Sequence, residues 1–494
     1  MPTKRNLHKS SNSSLGKHTR TTSCTTHSAG SQLYSNRQDV FSAGVSGTKN
    51  SRQSGIYGSA QAGNASSNTR GGAYTGSTSN GTRTGDVVIS RRTLIYGAIG
   101  VGIVAAGAFG ASKLIGSTSD DEESDILSVP EDAVTASTDL TEIENPGGVY
   151  LLAYMQLPYG TLIWNNDDEY AALLLPTETG APLTQVGLLR LSSGYYYTIM
   201  TQAVGANDGF EIYDVRAISN GMIWTEVDIM EGIWRIYTSP LNDGNMGEAL
   251  LVDEGDSDFE TPTIAVAGKR AFWQVLPSTT GTKTSEASVV KSTLIGSSNV
   301  EEVYTSYGRM CSPIYALDSS IVITPRKDTS SVHHQLTLID ANTLDVLDTL
   351  TLPTSMKPLE AGYGKTGFMF SFEGIYSYGD GIANLGTYIP KEDTRNGNYS
   401  EAPWFRFART PSAAPCWCGD LLVVKSSRSN CCIDLNNNTY FLLEAVDNSE
   451  SYGDYLASTG NRKRFVTYAN VTDTSSDGSE ESYCYVRVWA DPDA

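Results

Sequence analysis

From about Gly147 onward the chain keeps a beat. Short apolar runs rich in Ile, Val, Tyr and Trp alternate with clusters of Gly, Asn, Asp, Ser and Pro. Seven stretches share one rhythm: "YLLAYMQLPYGTLIWNND" from 150, "EIYDVRAISNGMIWTEVD" from 211, "ETPTIAVAGKRAFWQVLP" from 260, "MCSPIYALDSSIVITPRK" from 310, "PLEAGYGKTGFMFSFEG" from 358, "APCWCGDLLVVKSS" from 414 and "YLASTGNRKRFVTYANV" from 455. Each reads as a short strand, a tight turn and a strongly apolar strand. The apolar centres are Trp164, Trp224, Trp273, Ile323, Phe370, Val424 and Val466, spaced by 60, 49, 50, 47, 54 and 42 residues. Third strands such as "GIWRIYTSPL" and "HQLTLIDAN" follow, and often a fourth, as in "EEVYTSYG".

Four strands per unit, repeated in this way, predict an all-β fold: a seven-bladed β-propeller with four-stranded blades. A single blade cannot bury both faces, whereas blades stacked around an axis bury each other. The last unit stops after its third strand, at "YVRVWADPDA". The ring then needs an outer strand from elsewhere, and "AVTASTDLTEIE" (Ala133 to Glu144) alternates suitably to supply it. The 60-residue first interval contains "GYYYTIM" (Gly194 to Met200), read as an additional strand or rim ribbon. Two β-sandwiches in tandem are the alternative with the same strand content. The pattern resembles the broad family of bacterial extracytoplasmic propellers of the TolB or quinoprotein-like kind, without sialidase Asp boxes or regular Gly-His/Trp-Asp pairs. That resemblance implies a shape and a habit of binding in the axial funnel, and no particular activity.

Charge divides the chain before this body. Residues 1–92 hold twelve Lys/Arg and two Asp, whereas residues 117–494 hold 22 basic and 53 acidic residues. Between them, Thr93 to Ser112 carries no charge over twenty residues. As a helix it would span roughly 30 Å, the thickness of a bilayer's hydrocarbon. Arg83, Arg91 and Arg92 precede it and only Lys113 follows, so the positive-inside rule puts the tail in the cytoplasm and the acidic body outside. "SRRTLI" (Ser90 to Ile95) resembles the bacterial twin-arginine export motif, with Arg91 and Arg92 as its pair, Leu94 where Phe is usual and Tyr96 where Lys is frequent. Two ordinary topogenic arginines are the plainer reading. Retention as an anchor is favoured over cleavage after "AGA" (Ala106 to Ala108). Residues 1–90 are dominated by Ser, Thr, Gly and Asn without apolar period and are expected to be a disordered basic tail. Such a tail suits anionic lipid, and its few scattered aromatics argue against specific nucleic-acid recognition. The expected organisation is tail 1–90, transmembrane signal-anchor 91–115, acidic linker 116–132 and propeller 133–494.

Chemistry-bearing residues are sparse. Of five histidines three lie in the tail, and the adjacent His333 and His334 fall in a strand, pointing to opposite faces. No Gly-x-Ser-x-Gly elbow is present. The acidic runs "DEGDSDFE" (253 to 260) and "DTSSDGSEE" (473 to 481) offer oxygen ligands without an EF-hand pattern and read as solvated loops. Neither cofactor nor metal is expected. Six cysteines lie in the body. Outside the membrane, Cys416 or Cys418 bridging to Cys431 or Cys432 would staple one blade; a thiolate cluster and buried free thiols are the alternatives. Tyr195, Tyr196 and Tyr197 offer flat faces with polar tips for sugars or peptides, or else pack as an extra strand. Together these features suggest a membrane-anchored, non-catalytic binding module or scaffold for an envelope protein or glycan. The second reading is a carboxylate-based glycan hydrolase or lyase with its site on the propeller axis.

Overall fold

The computed structural model describes residues 126–494, apart from 145–146, 281–282, 284–286, 328–332, 354–355, 374–384, 395–397 and 494. The expected tail, the apolar segment with Arg91 and Arg92, and linker residues 116–125 lie outside the described residues. Among the described residues, no helix is long and apolar enough to cross a membrane.

The body is a β-propeller. Its strands form seven sheets, and the described residues contain no α-helix. Each sheet begins with a first strand that is followed by antiparallel neighbours. The first sheet runs Leu162–Asn165, Tyr170–Pro176, Thr184–Arg190, Tyr195–Met200; the third runs Thr263–Ala267, Arg270–Val275, Val289–Leu294, Val300–Thr305. The fourth runs Tyr315–Ala316, Ser320–Ile323, Gln335–Asp340, Val346–Thr351, and the sixth Cys416–Cys418, Leu421–Lys425, Asn430–Asp434, Thr439–Leu443. The apolar cores lie between sheets. Leu173 and Leu189 of the first sheet pack with Val466 and Val486 of the seventh. Leu174 and Leu188 pack with Val215 and Trp224 of the second, and Ala265 and Phe272 of the third pack with Ile321 and Ile339 of the fourth. Core between the last sheet and the first closes the ring. Trp224, Trp273 and Trp404 are fully buried, each removing a large apolar area from water at about 25 cal/mol per Å².

The repeat has a polar half. Behind six of the apolar centres stand Thr225, Gln274, Thr324, Ser371, Lys425 and Thr467, all with no exposed surface. Successive strand residues face opposite ways, so each of these six second strands sends an apolar side chain to one side and a polar one to the other. Several of these polar groups tie segments together: Thr324 Oγ1 accepts from Cys311 N (3.0 Å) and Ser312 N (2.9 Å), where the chain enters the fourth sheet.

Three expectations about the ends and spacing change. The seventh sheet contains Tyr455–Leu456, Arg464–Thr474 and Glu480–Ala490, and its outer strand is Tyr150–Pro158, not residues 133–144. The latter run across two neighbouring sheets instead. Val134–Ala136 pairs in parallel with Trp404–Phe407 of the fifth sheet, and Thr141–Glu142 pairs in parallel with Thr439–Leu443 of the sixth. Upstream, Ile126 bridges Thr351 of the fourth sheet, and Leu127 and Val129 are buried, so the folded body begins before residue 133. The described residues among 126–158 thus form a strap over the outer edges of four consecutive sheets. The long first interval has the same origin. "YLLAYMQLP" belongs to the seventh sheet and Trp164 to a first strand, not a second. The second strand of the first sheet contains Leu174, fifty residues before Trp224, and Tyr195–Met200 is that sheet's ordinary fourth strand rather than an insertion.

Candidate axial site

The turns between first and second strands gather around the axis at one end of the ring. They are joined by a chain of hydrogen bonds. Asp167 Oδ2 of the first sheet accepts from Ser219 N of the second, Asn220 Nδ2 donates to Gly268 O of the third (3.0 Å), and Gly268 N donates to Asp318 O of the fourth (2.7 Å). Lys365 of the fifth sheet is 2.6 Å from Asp420 of the sixth, and Gly419 N donates to Arg462 O of the seventh (3.2 Å). Asp168 Oδ1 ties the seventh sheet back to the first by accepting from Lys463 N (2.7 Å) and Arg464 N (3.1 Å).

The corresponding turn of the seventh sheet is enlarged into residues 457–463, and this loop lies across the axis. Its strand Gly460–Arg462 adds in parallel to Cys416–Cys418. Thr459 N donates to Asn165 O of the first sheet (3.1 Å). Gly460 N donates to Tyr315 Oη of the fourth (2.6 Å), which in turn donates to Pro415 O (2.7 Å). The Arg462 guanidinium, without exposed side-chain surface, donates to Asp318. Gly460 has φ +77°, and a Cβ there would stand 3.3 Å from Leu317 Cα; only glycine takes this conformation at no cost that close to a neighbouring backbone.

Between turns of the first, second and fourth sheets is a cavity of about 450 Å³. Four carboxylates line it (Asp167, Asp168, Glu169 and Asp318), with Arg464 and the hydroxyls of Ser192 and Ser219. Asp167, Asp168 and Asp318 hold neighbouring turns together through the bonds above, and Asp167 Oδ1 also accepts from Glu169 N (2.9 Å) and Tyr170 N (2.8 Å). Their first role is architectural. What remains toward solvent is a polar, mainly acidic mouth suited to hydroxyl-rich or cationic groups.

The residues singled out in the sequence lie elsewhere. Tyr195, Tyr196 and Tyr197 sit on the outermost strand of the first sheet, away from the axis. Tyr195 is 66% exposed and stacks on Tyr197 (6.0 Å), whose hydroxyl donates to Gly244 O (3.1 Å), while Tyr196 packs against the core. The six cysteines of the body are free thiols. The disulfides expected within the sixth sheet do not form, for a geometric reason. Val423 pairs on one side with Cys416 and on the other with Cys432, so a whole strand separates "CWC" from "CC". Two strand spacings of about 4.8 Å each place such Cα atoms beyond the roughly 7 Å limit for a bridge. Burial pushes the thiols of Cys416, Cys432 and Cys484 up, and that of Cys418 up to about 12.

Cys311 and His334 form a pair that sequence reading missed. The sulfur is 3.3 Å from both ring nitrogens. Equal distances place it over the ring rather than in line with a nitrogen lone pair. Burial pushes the imidazole down to about 4 and the thiol up to about 11, the opposite of a thiolate–imidazolium couple. His333 Nδ1 is 2.9 Å from Leu352 O. The two acidic runs are engaged by the protein: Asp253 accepts from Trp273 Nε1 (2.7 Å) and Lys291 (2.9 Å), and Asp473 from Tyr483 Oη (2.6 Å). Among the described residues, no three His, Cys, Asp or Glu side chains gather as a metal set.

No family model and no curated protein matches the sequence. Solved structures resemble it at low identity. A prolyl endopeptidase aligns at 10% identity over 66% of this chain and 50% of its own, with a TM-score of 0.42. An oligogalacturonate lyase in complex with manganese aligns at 10% over 70% and 98%, with a TM-score of 0.41, and BamB from Moraxella catarrhalis at 10% over 69% and 99%, with 0.34. The chain spans about half the length of the prolyl endopeptidase. Likeness this distant concerns the fold alone; it carries neither ligand nor activity to this chain.

Proposed function

We propose that the chain is a membrane-anchored, extracytoplasmic propeller that binds an envelope protein or glycan without turning it over. The carrying observation is the axial loop 457–463, which occupies the ring's centre and leaves a shallow mouth whose aspartates are used in holding turns together. The same reading takes each of the seven sheets as one blade of a seven-bladed ring, of the TolB or quinoprotein-like kind. The anchor rests on the charge-free stretch Thr93 to Ser112 behind Arg91 and Arg92, and the basic tail would meet anionic lipid on the cytoplasmic side. Crosslinking of the full chain in its native envelope tests the function: a discrete envelope protein or glycan should be captured. Turnover of peptidoglycan, glycosides or peptide esters by the purified protein would overturn it. Protease added to intact cells should reach the body and spare the tail; the reverse pattern would remove the membrane assignment.

A second reading has one observation in its favour. Asp167, Asp168, Glu169 and Asp318 share one cavity, and paired carboxylates are the machinery of glycoside hydrolysis. Replacing Glu169 and Asp318 by Gln and Asn should then abolish a measurable glycan-cleaving activity while leaving glycan binding in place.

A further inference from the structure

The strap covers the outer edges of the fourth to seventh sheets and stops there. Among the described residues, nothing pairs with the outer edge of Val300–Thr305 on the third sheet. The difference is visible in exposed apolar surface. Where the strap crosses the fifth and sixth sheets, Leu127, Val129, Val134, Leu140 and Ile143 pack onto them, and no large apolar side chain there is exposed among the described residues. Beside the uncovered edge, Leu294, Val300 and Tyr307 of the third sheet are 49%, 38% and 53% exposed. An open edge strand beside apolar side chains is a template for another strand.

We propose that the outer edge Val300–Thr305 is a docking site for an extended, basic segment of a partner protein, added as a further strand. The occupant's form follows from the strap, which adds to neighbouring sheets as extended chain and bridges Thr351 of the adjoining fourth sheet at Ile126. A segment on the third sheet continues the same arc by one sheet. Its charge follows from the edge strand, "VEEVYT", which carries Glu301 and Glu302 and no basic residue. Glu301 is held by Arg270 at 3.2 Å, and Glu302 is exposed. A second copy of this acidic edge would be repelled, whereas the basic side chains of an alternating segment would line one face of the added strand and meet the Glu302 carboxylate there, Glu301 being on the other face with Arg270. The proposal goes beyond binding at the axial mouth and stands whether or not that mouth has a ligand.

The test uses the full chain and a synthetic heptapeptide of alternating lysine and valine. Amide hydrogen exchange should slow at 300–305 on adding peptide and stay unchanged at 404–407 and 439–443, the strapped edges. Glu302→Lys should weaken binding on the order of tenfold at low salt, and Leu251→Ala on the second sheet should leave it unchanged. Protection that is absent at 300–305, equal at the strapped edges, or confined to the axial mouth would overturn the proposal, as would unchanged affinity in the Glu302→Lys protein.

Discussion

Lys425 ends the second strand of the sixth sheet with no exposed surface. Its ammonium donates to Ser427 O and Tyr452 O, both at 2.9 Å, and lies 4.5 Å from the centre of the Tyr452 ring. Burial pushes its pKa down from 10.5 to about 7; Asp454 pulls it back up, while Arg409 and Arg428 push it further down. The folded protein therefore holds fewer protons than the unfolded chain between pH 7 and 10.5. In that window stability rises with pH by about 1.4 kcal/mol per unit. From pH 7, where the folded amine is half deprotonated, to pH 9 the gain from this one group is about 2 kcal/mol. Lys425→Met removes it. The variant avoids burying a cation but leaves two carbonyls without a donor, each costing about 1–3 kcal/mol, so near pH 7 the two proteins should be similar. Urea unfolding of both at several pH values between 7 and 9 makes the comparison, because every other titration is common to the pair. The wild type should gain on the variant steadily across this range. Parallel profiles would refute the assignment and show that the folded amine keeps its proton up to pH 9 as the unfolded chain does.

Other perturbations have equally definite outcomes. Arg409 and Glu360 form a buried pair 2.6 Å apart, with 3% and 7% of their side chains exposed; Arg409→Met alone should cost about 3–5 kcal/mol in a denaturant titration, and pairing it with Glu360→Met should recover much of that loss. The five buried body cysteines should resist a thiol reagent in non-reducing native buffer and react after denaturation; a disulfide between Cys416 or Cys418 and Cys431 or Cys432 found by mass spectrometry would contradict the strand order of the sixth sheet. Gly460→Ala should strain the axial loop by roughly 1–3 kcal/mol, read as faster hydrogen exchange at 457–463 with the outer strands unchanged. Leu157→Ala, in the strand that completes the seventh sheet, should cost about 2–5 kcal/mol, whereas Tyr154→Ala on the same strand, 65% exposed, should cost far less; equal losses would argue against Tyr150–Pro158 as the closing strand.

The beat was legible because it is a burial pattern. A second strand enclosed by neighbouring sheets on both faces is buried along its length, as Arg270–Val275 and Ser320–Ile323 are at every position, and is therefore mainly apolar. Such a run stands out at any register. What sequence could not distinguish was which sheet a strand joins. Tyr150–Pro158 and Leu162–Asn165 look like one strand pair because a tight turn separates them, yet the first is an outer strand and the second an inner one, and only ring closure separates their roles. The 60-residue interval was the signal of that error: with Leu174 as centre the spacing returns to fifty. The cysteine pattern misled for a related reason. Local spacing suggests a staple, but pairing register inserts Val423 between the two candidates. The axial aspartates carried no signal at all, since Asp167, Asp168 and Asp318 are ordinary turn residues until the ring brings the turns together.

Ring closure and axial filling are therefore the work of one sheet. The seventh takes its outer strand from the opposite end of the folded body and gives its first turn to the axis. Both devices tie distant parts of the chain: Cys484 lies in one core with Leu157, and Thr459 is bonded to Asn165. Contacts of such large sequence separation cannot form until the intervening sheets are in place, because closing so long a loop costs chain entropy before any contact offsets it. The first six sheets can grow by short antiparallel hairpins, but the seventh can be completed only against the first. A carboxylate-rich mouth gains its shape at that same step, since Asp168 meets Lys463 and Arg464 only when the ring has closed. The outer edge of the third sheet needs none of this. It is built from consecutive hairpins, and it presents the same strand whether the axis is filled or not, which is why a partner at the edge and a ligand at the mouth can be separated by experiment.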